Sequence, residues 1–143
     1  MYDYYNQQID KYKTTIGIAN GCEHFSAITN PIARKCQGTN EVGTLIVDGM
    51  TIVGHIANGL GYGMTRANLL QLRQKIDNQS ILRGYHTLSE LQQIAEIDRM
   101  IDECREKSNK NFFLGTCRAA CLFGAGLIAL LNNKNRRQQV KER

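Results

Sequence analysis

The sequence of 143 residues contains no tryptophan and a single proline, Pro31. Because proline is the residue that most strongly disrupts a helix interior, one proline leaves almost the whole chain free to be helical. Tryptophan and tyrosine mark the two interfaces of a bilayer in most membrane proteins, so the lack of tryptophan weakens the case for a membrane span. The two absences favour an all-α fold and leave its relation to a membrane open.

The sequence also lacks the signals of several functional classes. No cationic segment followed by a short apolar run stands near the N-terminus, and the five cysteines are an odd number. We therefore expect a chain that is not secreted through a cleavable signal peptide and is not a disulfide scaffold. The glycine-rich residues 54–63 match neither a phosphate loop nor a dinucleotide-binding loop, and Cys22-Glu23-His24 lacks the paired cysteines of a structural zinc site. We predict no enzymatic activity, no cofactor and no metal.

The basic residues are spread along the chain, and the formal net charge is +5. The densest group lies in a basic C-terminal tail, residues 132–143, where Arg136, Arg137 and Lys141 are candidates for contact with lipid head groups or an acidic partner. Tyrosines are concentrated in an N-terminal arm, residues 1–13, and are not interleaved with arginines. This distribution does not favour nucleic-acid binding.

Two long apolar segments dominate the sequence. Residues 112–131 are about long enough to cross a bilayer as a helix. Residues 43–64 form the second segment, which we interpret as a helix because no strand of similar length exists to pair with it. Gly59 and Gly63 in this segment have the spacing that permits close contact between two helices. We expect the two apolar helices to pack together.

The region between the apolar segments predicts an amphipathic helical hairpin, residues 66–107. Thr65 can cap its first helix, and Thr87 with Glu90 forms a capping box before its second helix. The polar residues 108–111 are expected to end that helix. Its apolar face includes Ile94, Ile97 and Ile101. These isoleucines are candidates for partner contact, provided that the fold does not bury them.

The predicted architecture is a single all-α domain, residues 1–143. It is a compact bundle of four to six helices, with the two apolar helices packed together and the amphipathic hairpin alongside. The dipeptide Asn30-Pro31 is expected to separate two helices, because the residue before a proline is biased away from the helical conformation.

Three polar residues in the apolar segments need partners. Arg118 is the one ionised residue within 112–131, and an arginine at the centre of a membrane helix costs about 2.5–3.5 kcal/mol. Asp48 and His55 are seven residues apart, which places them on the same helix face. We predict a buried pair between Asp48 and Arg118, with His55 nearby. The alternative is that each of them reaches solvent or a water molecule on its own.

The sequence thus favours a non-enzymatic helical interaction protein, associated with a membrane through residues 112–131 and otherwise cytoplasmic. It would act as an assembly subunit, adaptor or effector, with a protein partner or a second copy of the chain. The alternative is a wholly soluble helical protein with a structural or regulatory role, whose apolar runs form its core. An enzyme that uses Asp48, His55 and a cysteine is a third class, and it would require both residues to line a cleft.

Overall fold

The computed structural model of the chain describes the fold of residues 2–37 and 41–141 and the side chains of residues 4–36 and 42–134. Within these ranges the helices are α1 (Tyr2–Gln37), α2 (Glu41–Arg83) and α3 (Leu88–Lys141). The all-α class is confirmed. The prediction of four to six helices is wrong, because three continuous helices cover the segments that were predicted to be separate shorter helices.

The polar residues 108–111, predicted to end a helix, lie inside α3. Ser108 Oγ donates a hydrogen bond to the carbonyl of Gly59 on α2 at 2.8 Å. Asn111 Oδ1 lies 3.0 Å from Nδ1 of His55 on α2, and the side chains of Ser108 and Asn111 are both buried. Their polarity therefore belongs to a contact between helices and not to a loop.

The expected breaks in the first two helices are also absent. Thr65 is buried within α2, where its Oγ1 donates to the carbonyl of Gly61 at 2.9 Å instead of capping a new helix. Pro31 lies inside α1. Beyond Pro31, the guanidinium of Arg34 forms an ion pair with Asp48 of α2. This contact ties the last turns of α1 to its neighbour.

The predicted turn and capping box between α2 and α3 are confirmed. Gly84 has a φ of 80°, which a residue without a side chain adopts readily, and the chain leaves α2 there. The backbone N–H of Glu90 donates to Thr87 Oγ1 at 3.2 Å, and the backbone N–H of Thr87 donates to Glu90 Oε2 at 2.9 Å. Two N–H groups that the first turn of α3 leaves without helical partners are satisfied in this way.

The three helices run up, down and up. Between α2 and α3 the ion pairs join Arg83 to Glu90 and Arg73 to Asp98. Residue numbers fall on one helix as they rise on the other, so this pair is antiparallel. Between α1 and α3 the hydrogen bonds join Asn6 to Gln93 and Asn20 to Glu103. These numbers rise together, so α1 and α3 are parallel.

The core is a stripe of side chains at spacings of three and four residues. On α2 the buried residues include Tyr62, Thr65, Leu69, Leu72 and Ile76. On α3 they include Gln93, Ile97, Met100, Cys104, Ser108 and Asn111. This spacing is typical of helices that pack side by side with a small crossing angle. From α1, Tyr5, Ile9 and Ile16 complete the core.

The two ends of the bundle differ in surface character. Most of the ion pairs lie at the end that contains the turn between α2 and α3. We call this end, residues 4–24 and 59–111, the polar half. At the other end, large apolar side chains are exposed on all three helices, over residues 25–36, 42–58 and 112–134, which we call the apolar half. Examples are Phe25, Ile28, Ile46, Met50, Val53, Phe113, Phe123 and Leu127.

Candidate functional site

The last part of α3 is apolar and uncovered. The described stretch Leu88–Lys134 contains an 18-residue window with a mean hydropathy of 1.8, and 6% of that window is buried in the folded chain. The apolar run, residues 112–131, supplies this character, and every residue from 123 to 134 is exposed. By length and composition this helix could cross a membrane.

The two apolar segments meet at small residues. The ring of Phe112 lies against Gly59, where an added Cβ would be 3.2 Å from it. A Cβ on Gly115 would be 3.4 Å from both His55 Cβ and Ile56 Cγ1. The predicted packing of residues 43–64 on 112–131 is therefore present over the first turns of the second segment. The two glycines allow this close approach.

A network of polar side chains joins all three helices beside this contact. His55 Nδ1 lies 3.0 Å from Asn111 Oδ1, a distance at which an N–H at Nδ1 donates to the amide oxygen. Asn111 Nδ2 in turn donates to the carboxylate of Glu23 on α1. Lys107 Nζ lies 3.8 Å from the same carboxylate. Glu23 on α1 is therefore held by two side chains of α3.

A cavity of about 410 Å³ opens next to this network, between the three helices. Polar and charged side chains contribute much of its wall, although it lies in and next to the apolar half. Those that bear on its chemistry are Glu23, Asn30, His55, Asn58, Lys110 and Arg118. The volume falls within the range of small-molecule clefts.

The predicted pair between Asp48 and Arg118 is not formed. Asp48 pairs with Arg34 of α1 and does not line the cavity. Arg118 lines the cavity, and its Nη1 atom is buried with no hydrogen-bond partner among the described residues. The sequence spacing did not identify Arg34 as the partner of Asp48, because the helix that contains Arg34 was predicted to end at Asn30-Pro31. Of the three predicted polar residues, the structure brings only His55 and Arg118 to one site.

The residues predicted to contact a partner have other positions. Ile97 and Ile101 are buried in the core and Ile94 packs against it, so the bundle itself covers this face. Arg136, Arg137 and Lys141 lie outside the residues whose side chains the structure describes. Most of the exposed large apolar side chains lie in the apolar half, away from these isoleucines.

Groups that could support the enzymatic alternative are not assembled. Asp48 and His55 bond to different partners, and of these two only His55 lines the cavity. The Cys104 thiol is buried, which raises its pKa to about 11, so it is protonated at neutral pH and packs as a small apolar group. Among the described residues, no three His, Cys, Asp or Glu side chains are placed to hold a metal ion.

Sequence reasoning missed Ser108 and Asn111, the two buried polar residues at the contact between α2 and α3. A signal was present: they continue the spacing of three and four residues set by Ile97, Met100 and Cys104.

Comparison of the chain with protein-family models, with curated proteins and with solved structures found no match.

Proposed function

We propose that this chain is a non-enzymatic, membrane-associated helical interaction protein, with residues 112–131 of α3 in the bilayer. It acts as an assembly subunit, adaptor or effector. The observation that carries the proposal is the exposure of this apolar run: 6% of its most apolar window is buried in the folded chain. Large continuous apolar surfaces on a folded protein mark sites that a membrane or another protein covers.

The energetics of the run are compatible with insertion. Arg118 opposes it by up to about 2.5–3.5 kcal/mol at a helix centre, and by less near an interface. Each leucine, isoleucine or phenylalanine at the centre favours insertion by about 0.3–0.6 kcal/mol on the same scale. The run contains Phe112, Phe113, Leu114, Leu122, Phe123, Leu127, Ile128, Leu130 and Leu131. Together these side chains offset one arginine.

The interaction role rests on the rest of the apolar half. Exposed apolar side chains on α1 and α2, such as Phe25, Ile46 and Val53, lie at the same end of the bundle as residues 112–131. They provide a surface for a protein partner or a second copy of the chain. The polar half, with its ion pairs, is suited to remain in the cytoplasm.

Membrane fractionation of cells that express the full chain tests the proposal. We expect the wild type in the membrane pellet, resistant to high salt and released by detergent. The double substitution Leu127→Asp with Ile128→Asp places two charges in the exposed run and should move the protein to the soluble fraction, since each carboxylate opposes insertion by about 2.5–3.5 kcal/mol.

The matched control is Leu82→Asp in the polar half, where the side chain is 87% exposed. This variant should stay in the pellet. Recovery of the wild type in the soluble fraction at high salt without detergent would overturn the proposal. It would favour the alternative, a soluble structural or regulatory protein whose apolar half is covered by protein.

A further inference from the structure

The cavity between the three helices contains positive charge that the fold leaves without a counterion. Lys110 and Arg118 both line it, and neither forms an ion pair or a side-chain hydrogen bond with another described residue. The carboxylate on the wall, Glu23, forms a 3.8 Å ion pair with Lys107 and accepts a hydrogen bond from Asn111. Two cationic side chains therefore face this space without a partner.

Arg118 in particular requires an acceptor. Its Nη1 atom is buried and makes no hydrogen bond. A buried donor without a partner is costly, and more so when it is charged. A guanidinium has a planar fork of donors that matches two oxygens of a carboxylate or a phosphate. An oxyanion is therefore the kind of acceptor that matches Arg118.

We propose that this cavity binds the phosphate group of a ligand, with Arg118 as the contacting residue and Lys110 as the second cation. Two unneutralised positive charges match a phosphate monoester, which carries a charge of about −1.5 to −2 at neutral pH, better than a single carboxylate. The volume of about 410 Å³ accommodates a small phosphorylated molecule or a lipid head group.

Other groups on the wall fit this ligand. Ser26, Asn30 and Asn58 present a hydroxyl and two amides that can donate to the remaining phosphate oxygens. Lys110 lies eight residues before Arg118, about 12 Å along the helix axis, and is exposed. A long side chain there can meet the phosphate from the solvent side. The proposed site does not depend on the membrane association argued above.

Titration of the purified full chain in nonionic detergent tests the proposal, with inorganic phosphate as the probe and calorimetry as the readout. We expect Arg118→Gln to weaken binding at least about tenfold, because it removes the charge and the paired donors. The matched control is Arg66→Gln. Arg66 also has a buried nitrogen without a partner, but it lies outside the cavity, and its substitution should leave the affinity unchanged.

Arg118→Lys is the second variant, and it keeps the charge if the glutamine variant does not fold. It should bind phosphate several-fold more weakly than the wild type, since an ammonium lacks the planar fork. Circular dichroism verifies that each variant keeps its helical content. In addition, saturating phosphate should raise the melting temperature of the wild type and of Arg66→Gln, but not that of Arg118→Gln.

The source of the phosphate is distinguished with vesicles of phosphatidylcholine that contain either phosphatidic acid, a phosphate monoester, or phosphatidylglycerol, a diester. A preference for phosphatidic acid that is lost in Arg118→Gln assigns the site to a lipid head group. Binding of inorganic phosphate without that preference assigns it to a soluble phosphate. Absence of binding to either probe overturns the proposal, as does equal loss in Arg118→Gln and Arg66→Gln.

Discussion

Gly115 lies at a close contact between the two apolar segments. A Cβ at this position would be 3.4 Å from His55 Cβ and from Ile56 Cγ1, which is ordinary contact for a methyl group and too little space for a larger side chain. We predict that Gly115→Leu lowers the free energy of unfolding by about 1–3 kcal/mol through overpacking. Denaturant unfolding in nonionic detergent, followed by circular dichroism, measures the change.

Gly124, nine residues later on the same helix, is the control for that substitution. An added Cβ there meets nothing within 4 Å. Gly124→Leu should leave stability unchanged to within about 0.5 kcal/mol, or raise it slightly, because leucine favours the helix more than glycine does. An equal loss in the two variants would show that the contact at Gly115 does not stabilise the bundle.

The candidate site could be predicted only in part from single residues. The sequence drew attention to His55 and Arg118 as polar residues in apolar segments, and the structure places both on one cavity wall. It did not identify the partner of Asp48, because Arg34 lies on a helix whose length was underestimated at Pro31. A partner that is distant in sequence depends on the whole packing arrangement, which local spacing does not contain.

At the scale of the helices, the local signal at Thr87 predicted a helix start correctly, whereas the predicted start at Thr65 and the predicted end at residues 108–111 were wrong. The capping box of α3 was visible because Thr87 and Glu90 satisfy backbone groups within one turn. The continuity of α3 through residues 108–111 was not visible, because Ser108 is held by a carbonyl on α2. Tertiary contacts of this kind override the weak helix propensity of serine and asparagine.

The start of α3 also predicts a dependence of stability on pH. The backbone N–H of Thr87 donates to the Glu90 carboxylate, Arg83 pairs with it, and these contacts lower its pKa from 4.5 to about 2. The folded protein therefore binds this proton more weakly than the unfolded chain does. The stabilisation is complete above about pH 4.5 and is lost as the pH falls towards 2.

We predict that Glu90→Gln is less stable than the wild type at neutral pH, and that the difference shrinks between about pH 4.5 and pH 2. Thermal unfolding across this range provides the measurement. Glu106→Gln, an exposed change on the same helix, is the control and should show a small difference at every pH. A constant difference between wild type and Glu90→Gln would show that the charge of Glu90 is not responsible.

At the scale of the whole molecule, the bundle and the apolar end of α3 are separable. The core extends over the polar half and the middle of the chain, from Tyr5 to Cys104, whereas all residues from 123 to 134 are exposed. Gly115 lies opposite His55 and Ile56, about four turns from the start of α2. At this antiparallel register the first turns of α2 lie level with residues 123–129, which are nevertheless exposed, and the turns of α3 after about residue 129 extend beyond the start of α2.

A chain ended after Leu122 should keep the bundle intact, because the removed residues that the structure describes make no buried contact. We predict that residues 1–122 unfold within a few degrees of the full chain in nonionic detergent, since exposed surface contributes little to stability. The same truncation should remove the protein from the membrane pellet, because it deletes half of the apolar run. A large loss of stability would contradict the separation of the two parts. Retention in the pellet would place the membrane contact on the exposed apolar faces of α1 and α2 instead.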